Sequence, residues 1–337
     1  MRRALVTGSA GFIGFHLCRA LLGAGYRVTG FDGLTDYYDV SLKEARHREL
    51  SAFEGFTPEI GLLEDMDRLA AVWDEAAPDV VVHLAAQAGV RYSIENPRAY
   101  LEANITGSFN ILECALRVRP AHLLMASTSS VYGANTQMPY REVDKVDLPV
   151  SFYAATKKSD EAMAHAWAHI HDLPITMFRF FTVYGPWGRP DMALFKFTDA
   201  ILDGRPIDIY NRGELYRDFT YVDDLVRGIV LLMDVPPVRP APGAAIADDD
   251  SLSPVAPHRV VNIGNSQKVK LLDFVDAVEA ALGQKAIRNY TDAQPGDVAA
   301  TWADAGLLQR LTGYRPQTEL ADGVRLFVEW FRDYYRR

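Results

Sequence analysis

Cysteine is nearly absent: Cys18 and Cys114 are the only two in 337 residues. Neither sits in a metal-type spacing, and two thiols make no disulfide framework, so reduced thiols are the simple account. No run of about 18 consecutive apolar residues occurs, which excludes a membrane-spanning helix of ordinary length. Positive charge is in deficit. Against 44 Asp and Glu stand 35 Lys and Arg, a formal net charge of −9. That balance argues against nucleic acid or an anionic membrane as the main partner. An anionic small molecule would need locally placed arginines. Arg2 and Arg3 run at once into an apolar strand and a glycine turn, so no signal peptide is expected. Internal repeats are missing too. His165, His169 and His171 cluster in one stretch, but no third ligand motif accompanies them and no metal is expected.

What is present is strongly patterned. Hydrophobic residues make up 49% of the chain, enough for a sizeable core, and the length predicts two closely joined lobes. Arg3-Ala-Leu-Val-Thr-Gly8 is a short apolar run ending in glycine. Ser9-Ala-Gly11-Phe-Ile-Gly14 and a helical pattern through Leu22 follow. Strand, tight turn and helix in that order suit a dinucleotide. Gly8 would allow the sharp turn, Gly11 a close approach to a pyrophosphate on the helix N-terminal amides, and Gly14 close packing of helix on strand. A second strand, Tyr26 to Phe31, ends in Asp32. A carboxylate there accepts hydrogen bonds from a ribose 2′-hydroxyl and repels a 2′-phosphate, which favours NAD over NADP.

Further on, Ser151-Phe-Tyr-Ala-Ala-Thr-Lys-Lys158 places Tyr153 and Lys157 four residues apart, on one face of a helix. A tyrosine ordinarily keeps its proton to about pH 10. A neighbouring ammonium stabilises the phenolate, so such a tyrosine can take a proton from a hydroxyl near neutral pH.

Buried strands are predicted over 79–84, 121–127 and 175–179, with a single helix over 97–117 and the Tyr153 helix from about 152 to 170. This alternation predicts an α/β fold, a Rossmann-type doubly wound parallel sheet with a smaller mixed α/β C-terminal substrate lobe. Residues 1–182 are assigned to the NAD-binding lobe, with return segments near 216–235 and 259–265. Residues 183–337 form mainly the other lobe. Within it, the stretch 236–257 is rich in Pro, Ala and Asp without periodicity and predicts a mobile surface loop.

Thr7-Gly-x-x-Gly-x-x-Gly14, His83-Leu-Ala-Ala86, Ser127 to Gly133 and Tyr153-x-x-x-Lys157 together resemble the extended short-chain dehydrogenase/reductase family. Longer stretches resemble its branch of UDP-glucuronate 4-epimerases: Leu34 to Lys43, Ala85 to Tyr92, Arg179 to Arg189, Arg217 to Asp224, and Gln294-Pro-Gly-Asp297. The resemblance implies a catalytic group of Tyr153, Lys157 and Thr128. It places Phe12, Ile13, Lys43, Leu84, Ala85, Ala86 and Gln87 beside the cofactor with the three glycines and Asp32. On the UDP-sugar side it places Arg91, Ser129, Ser130, Thr182 and Arg189, with Arg217 at the pyrophosphate. Phe195, Lys196 and Tyr210 would approach the uracil, and Asp297 would order a loop.

In this family, dehydratases carry Asp-Glu after the catalytic threonine, and UDP-glucuronate decarboxylases usually carry Glu where this chain has Ser130. Their absence favours epimerisation of UDP-glucuronic acid and UDP-galacturonic acid at C4. UDP-glucose 4-epimerase, UDP-glucuronate decarboxylase and a non-catalytic NAD sensor are the alternatives. Apolar faces on 99–116 and on the Tyr153 helix correspond to a family dimer interface, so a cytoplasmic homodimer is expected. One departure is Gly61, where many relatives hold an adenine-binding aspartate; Glu64 or Asp65 would then serve instead.

Overall fold

The computed structural model describes residues 1–292 and 298–337. Seven parallel strands form the central sheet: β1 (Arg3–Thr7), β2 (Arg27–Asp32), β3 (Phe56–Ile60), β4 (Val80–His83), β5 (His122–Thr128), β6 (Ile175–Phe180) and β7 (His258–Ile263). Their order across the sheet is β7-β6-β5-β4-β1-β2-β3. The inner strands are apolar at nearly every position because helices cover both faces. Alternate residues sort to opposite sides. Ala4, Val6, Val80 and Val82 join one core with Phe15, Leu21 and Ile229. Leu5, Val81, Leu123 and Met125 join the other with Leu112 and Ala164.

Helices α1 (Phe12–Gly23), α2 (Val40–Ser51) and α3 (Met66–Ala76) follow the first three strands, and α4 (Gly107–Arg117) and α5 (Phe152–His171) flank β5. The Ser151 hydroxyl caps α5 by accepting from the Ala154 amide at 3.1 Å, which fixes where the helix begins. The single helix expected over 97–117 is broken. A helical turn, Pro97–Tyr100, leads into a wide π turn, Leu101–Thr106, before α4. Buried Asn104 sits in that turn. Its amide donates to the Gln87 carbonyl and to the Thr156 hydroxyl at 3.0 Å, while its oxygen accepts from the Gln87 amide at 2.8 Å.

The second lobe contains α6 (Ala193–Leu202), α8 (Leu271–Leu282) and α9 (Leu320–Tyr335), and between α6 and α8 the chain forms α7 (Val222–Leu232). Its core packs Phe197, Ile207, Phe219, Phe274 and Phe327 together. The chain does not stay there: α7 packs back on α1 and β7 completes the sheet. The segment 236–257 is irregular, as its composition predicts, but it is docked at both ends. Arg239 pairs with Asp172 at 2.9 Å and Arg259 grips Asp250 with two bonds. The His165 ring bonds the Ser253 hydroxyl, and His169 donates to the Val255 carbonyl. These histidines therefore fasten a loop to α5, and only 241–249 stands largely clear of the body.

Glu142 is buried beside β6 and β7, its carboxylate accepting from the Asn262 backbone amide at 2.8 Å and its carbonyl from Arg179. Burial pushes its pKa up from 4.5 to about 7, against the pull of backbone hydrogen bonds and Arg179. A raised carboxyl pKa favours the folded state below the unfolded value, and that contribution is lost as pH rises to about 7. The expected loss is on the order of 3 kcal/mol. Glu142→Gln should flatten this dependence, so urea titrations at pH 5 and pH 8 will differ less for the variant than for the parent.

Candidate functional site

The site begins at the C-terminal ends of β1, β2, β4 and β5, where open α/β sheets place ligands. Gly8 has φ of +74°, and a Cβ there would lie 2.8 Å from the Ala85 amide. At Gly14 a Cβ would fall 2.0 Å from the Gly8 carbonyl oxygen. The turn therefore excludes side chains at both ends and leaves the N-terminus of α1 open to a cavity. Gly8, Gly11, Phe12, Ile13, Gly14, Asp32, Lys43, Leu84, Ala85, Ala86 and Gln87 all line it, together with Thr128, Tyr153 and Lys157. This shape, with bare backbone at a helix N-terminus and a carboxylate one strand over, fits a dinucleotide.

Asp32 is buried, and its two oxygens accept from the Ala10 amide at 2.9 Å and the Leu34 amide at 2.8 Å. It braces the glycine turn as well as facing the cavity. Lys43 donates to the Thr35 carbonyl at 2.5 Å and stands 4.6 Å over the Tyr38 ring. Burial lowers its pKa, opposed by Asp32. Gly61 lines the cavity, and a Cβ there would meet the Phe31 ring at 2.7 Å. Glu64 lies on the same wall. Asp65 does not serve there: its carboxylate caps α3 by accepting from the Arg68 amide.

Tyr153 and Lys157 rise from the first turns of α5 beside Thr128 at the end of β5. Behind them the buried Glu161 carboxylate accepts from Arg179 through two bonds of 2.9 Å and from the Ser127 hydroxyl at 2.7 Å. Burial works against the Glu161 charge, but Arg179 outweighs it and holds the carboxyl below its ordinary range. This clamp locks α5 to β5 and β6.

A second cavity opens from the Thr128 and Tyr153 side of the first toward the other lobe. Thr128, Tyr153 and Arg189 line both. Ser129, Ser130, Thr182, Arg91, Lys196, Tyr210 and Arg217 line the second, and the Arg91 guanidinium lies 4.5 Å over the Tyr210 ring. Phe195 departs from expectation. Its ring turns away from this cleft into the aromatic cluster of α9, 5.0 Å from Phe331 and 5.7 Å from Tyr335, because that face of α6 packs on the C-terminal helix. Asp297 and Gln294-Pro-Gly lie outside the described residues.

Three features were not foreseen. The Arg189 fork holds Asp191 at 2.9 and 2.5 Å, and the Tyr37 hydroxyl donates to the same carboxylate at 3.2 Å. Burial opposes the Arg189 charge, and Asp191 more than restores it, raising the pKa. Arg46, fully buried, donates to the Ala10 carbonyl at 2.8 Å, to the Tyr38 hydroxyl at 2.7 Å and to the Trp187 carbonyl at 2.6 Å. It ties the glycine turn to the loop that carries Arg189. Asp218, beside Arg217, has its pKa raised to about 6 by burial while accepting from the Asn265, Ser266 and Ala303 amides.

Residues 4–244 match the NAD dependent epimerase/dehydratase family, and the chain belongs to it. Among its relatives, a probable UDP-glucuronate 4-epimerase of Rhizobium meliloti (strain 1021) is 55% identical over 335 residues, spanning 99% of this chain and 98% of that one. UDP-glucuronate 4-epimerase 1 of Arabidopsis thaliana is 45% identical over 336 residues, spanning 98% of this chain and 77% of the relative. The crystal structure of a UDP-glucuronic acid 4-epimerase from Bacillus cereus with UDP-glucuronic acid and NAD superposes with a TM-score of 0.86 at 32% identity. It covers 99% of this chain and 100% of that one.

Proposed function

We propose that this protein is an NAD-dependent UDP-glucuronate 4-epimerase, interconverting UDP-glucuronic acid and UDP-galacturonic acid. The observation that carries the reading is the position of Tyr153, with Thr128, on the wall shared by the two cavities. NAD, when bound, supplies a hydride acceptor that later gives the hydride back. The chain supplies the rest. Gly8, Gly11 and Gly14 admit the pyrophosphate, and Asp32 holds the adenosine ribose. The Tyr153 phenolate oxygen takes the proton of the sugar 4-hydroxyl, and Thr128 holds the same oxygen in place. The resulting 4-ketose turns within the second cavity and presents its other face, and Tyr153 returns the proton.

That ketose is a β-keto acid and loses carbon dioxide readily if its carboxylate swings into line with the ketone. Arg189 is the group that restrains it, with Thr182, Ser129 and Ser130 beside it, since a planar guanidinium can bind a carboxylate through two bonds. Asp191 occupies that fork in the structure, so the sugar carboxylate must share or displace it. Arg189→His should raise the KM for UDP-glucuronic acid by about tenfold to a hundredfold. It should also release some UDP-pentose. Mass analysis of the products reads both: unchanged mass is epimerisation, and loss of carbon dioxide is decarboxylation. Unaltered KM without any pentose would count against Arg189.

Two broader assignments accompany this reading. Cys18 and Cys114 are both buried free thiols, in keeping with the reducing cytoplasm; among the described residues no helix is long and apolar enough to cross a membrane. Leu116, on α4, and Phe152 and Ile170, on α5, are exposed apolar side chains, which supports a homodimer through these helices.

A further inference from the structure

The carboxylate of Asp160 lines neither cavity among the described residues, yet it grips the lysine that serves Tyr153. Lys157 Nζ donates to Asp160 Oδ2 at 2.7 Å, and both side chains are almost wholly buried. Burial pushes the Asp160 pKa up, and Lys157 and then the Ser108 hydroxyl pull it back.

Among the described residues, the other titratable groups around that spot are neutral or paired elsewhere, with Glu161 adding a smaller upward push on Asp160. On β4, the His83 ring meets Ser108 of α4 at 3.3 Å and the Thr7 hydroxyl at 2.7 Å. Burial and then Lys157 depress the His83 pKa to about 3, so it is neutral. Glu161 is committed to Arg179 of β6, with Lys158 at 3.8 Å on its outer side. Tyr100 stacks edge-on against Tyr153, ring centres 6.0 Å apart. A lone ammonium would act on Tyr153 at full strength. A paired one acts less.

We propose that Asp160 is a positioning residue that fixes the Lys157 ammonium on α5 and offsets part of its pull on the Tyr153 phenolate. The device keeps the phenolate a strong enough base to take a sugar hydroxyl proton, because base strength falls as a neighbouring cation stabilises the anion. It rests on Tyr153 being the proton acceptor, and it is indifferent to which sugar nucleotide binds.

The test is a titration of the protein without sugar nucleotide, following near-ultraviolet phenolate absorbance. The Tyr153→Phe protein in the same background is subtracted to isolate one tyrosine. Asp160→Asn should move the Tyr153 titration to lower pH by about one unit. That is the size for a unit charge seven residues along a helix, roughly 10 Å, at an effective dielectric constant of about 20. Asp160→Glu, which keeps the charge, should leave it in place. The acidic limb of the kcat profile should move with the titration. Asp160→Ser removes the charge with a smaller group and gives the same reading if the Asn protein does not fold. A titration unmoved in folded Asn or Ser protein overturns the proposal, as does an equal shift in the Glu protein. A wrong substrate assignment would instead show in the product assay and leave the titration intact.

Discussion

Tyr153→Phe should lower kcat by about a thousandfold while changing the KM for UDP-glucuronic acid little. Positioned proton transfer contributes roughly 10²- to 10⁴-fold to a rate, and phenylalanine deletes the atom that carries the proton while keeping the ring. The ring's contact with Tyr100 is hydrophobic and survives the change. Thr128, Lys157 and the cavity walls are untouched, so ground-state binding should persist. A loss in kcat and kcat/KM together is the signature of an interaction made only in the transition state. Steady-state rates of product formation check it, and a variant within tenfold of the parent would remove Tyr153 from the chemistry.

The second large effect is on stability. Arg179→Met should cost about 3–5 kcal/mol, because it strands the buried Glu161 carboxylate without its counter-charge. Two bonds of 2.9 Å to Glu161, a contact with the Glu142 carbonyl and a stacking distance of 4.8 Å over Tyr132 all vanish at once. Replacing Glu161 by Met as well should recover part of the loss, since no unpaired charge then remains. Urea unfolding of the two single variants and the double variant gives the coupling directly. Equal stability of parent and Arg179→Met would mean the clamp contributes nothing. The surviving enzyme should also be slower, since the same clamp sets the register of α5 against β5.

Much of this was legible in the chain. Strand, glycine turn and helix declared themselves because each step has its own composition: an apolar run, glycines at fixed offsets, then a period near 3.6. Tyr153 and Lys157 were legible because helical geometry alone puts them on one face. What stayed hidden depends on distant partners. Arg46 reads as one more solvated charge on α2, yet carbonyls from residues 10 and 187 close over it. Asn104 was invisible because apolar spacing cannot tell a π turn from an α turn. Phe195 was misplaced since an aromatic residue has no marker for which of two neighbouring apolar volumes it fills. Asp160 lies three residues after Lys157, so the pair was readable from spacing, but surface pairs at that interval are common and nothing local announces burial.

After β6 the polypeptide leaves the seven-stranded sheet, builds α6, comes back for α7 and β7, then departs again for α8 and α9. No single scission divides such a thread into two autonomous halves. A break in the clear stretch 241–249 would leave one fragment with six of the sheet's strands and the other with the seventh. The second lobe is thus woven into the lobe built on the seven-stranded sheet and cannot be exchanged as a cassette. New specificities must be introduced by substitution in place.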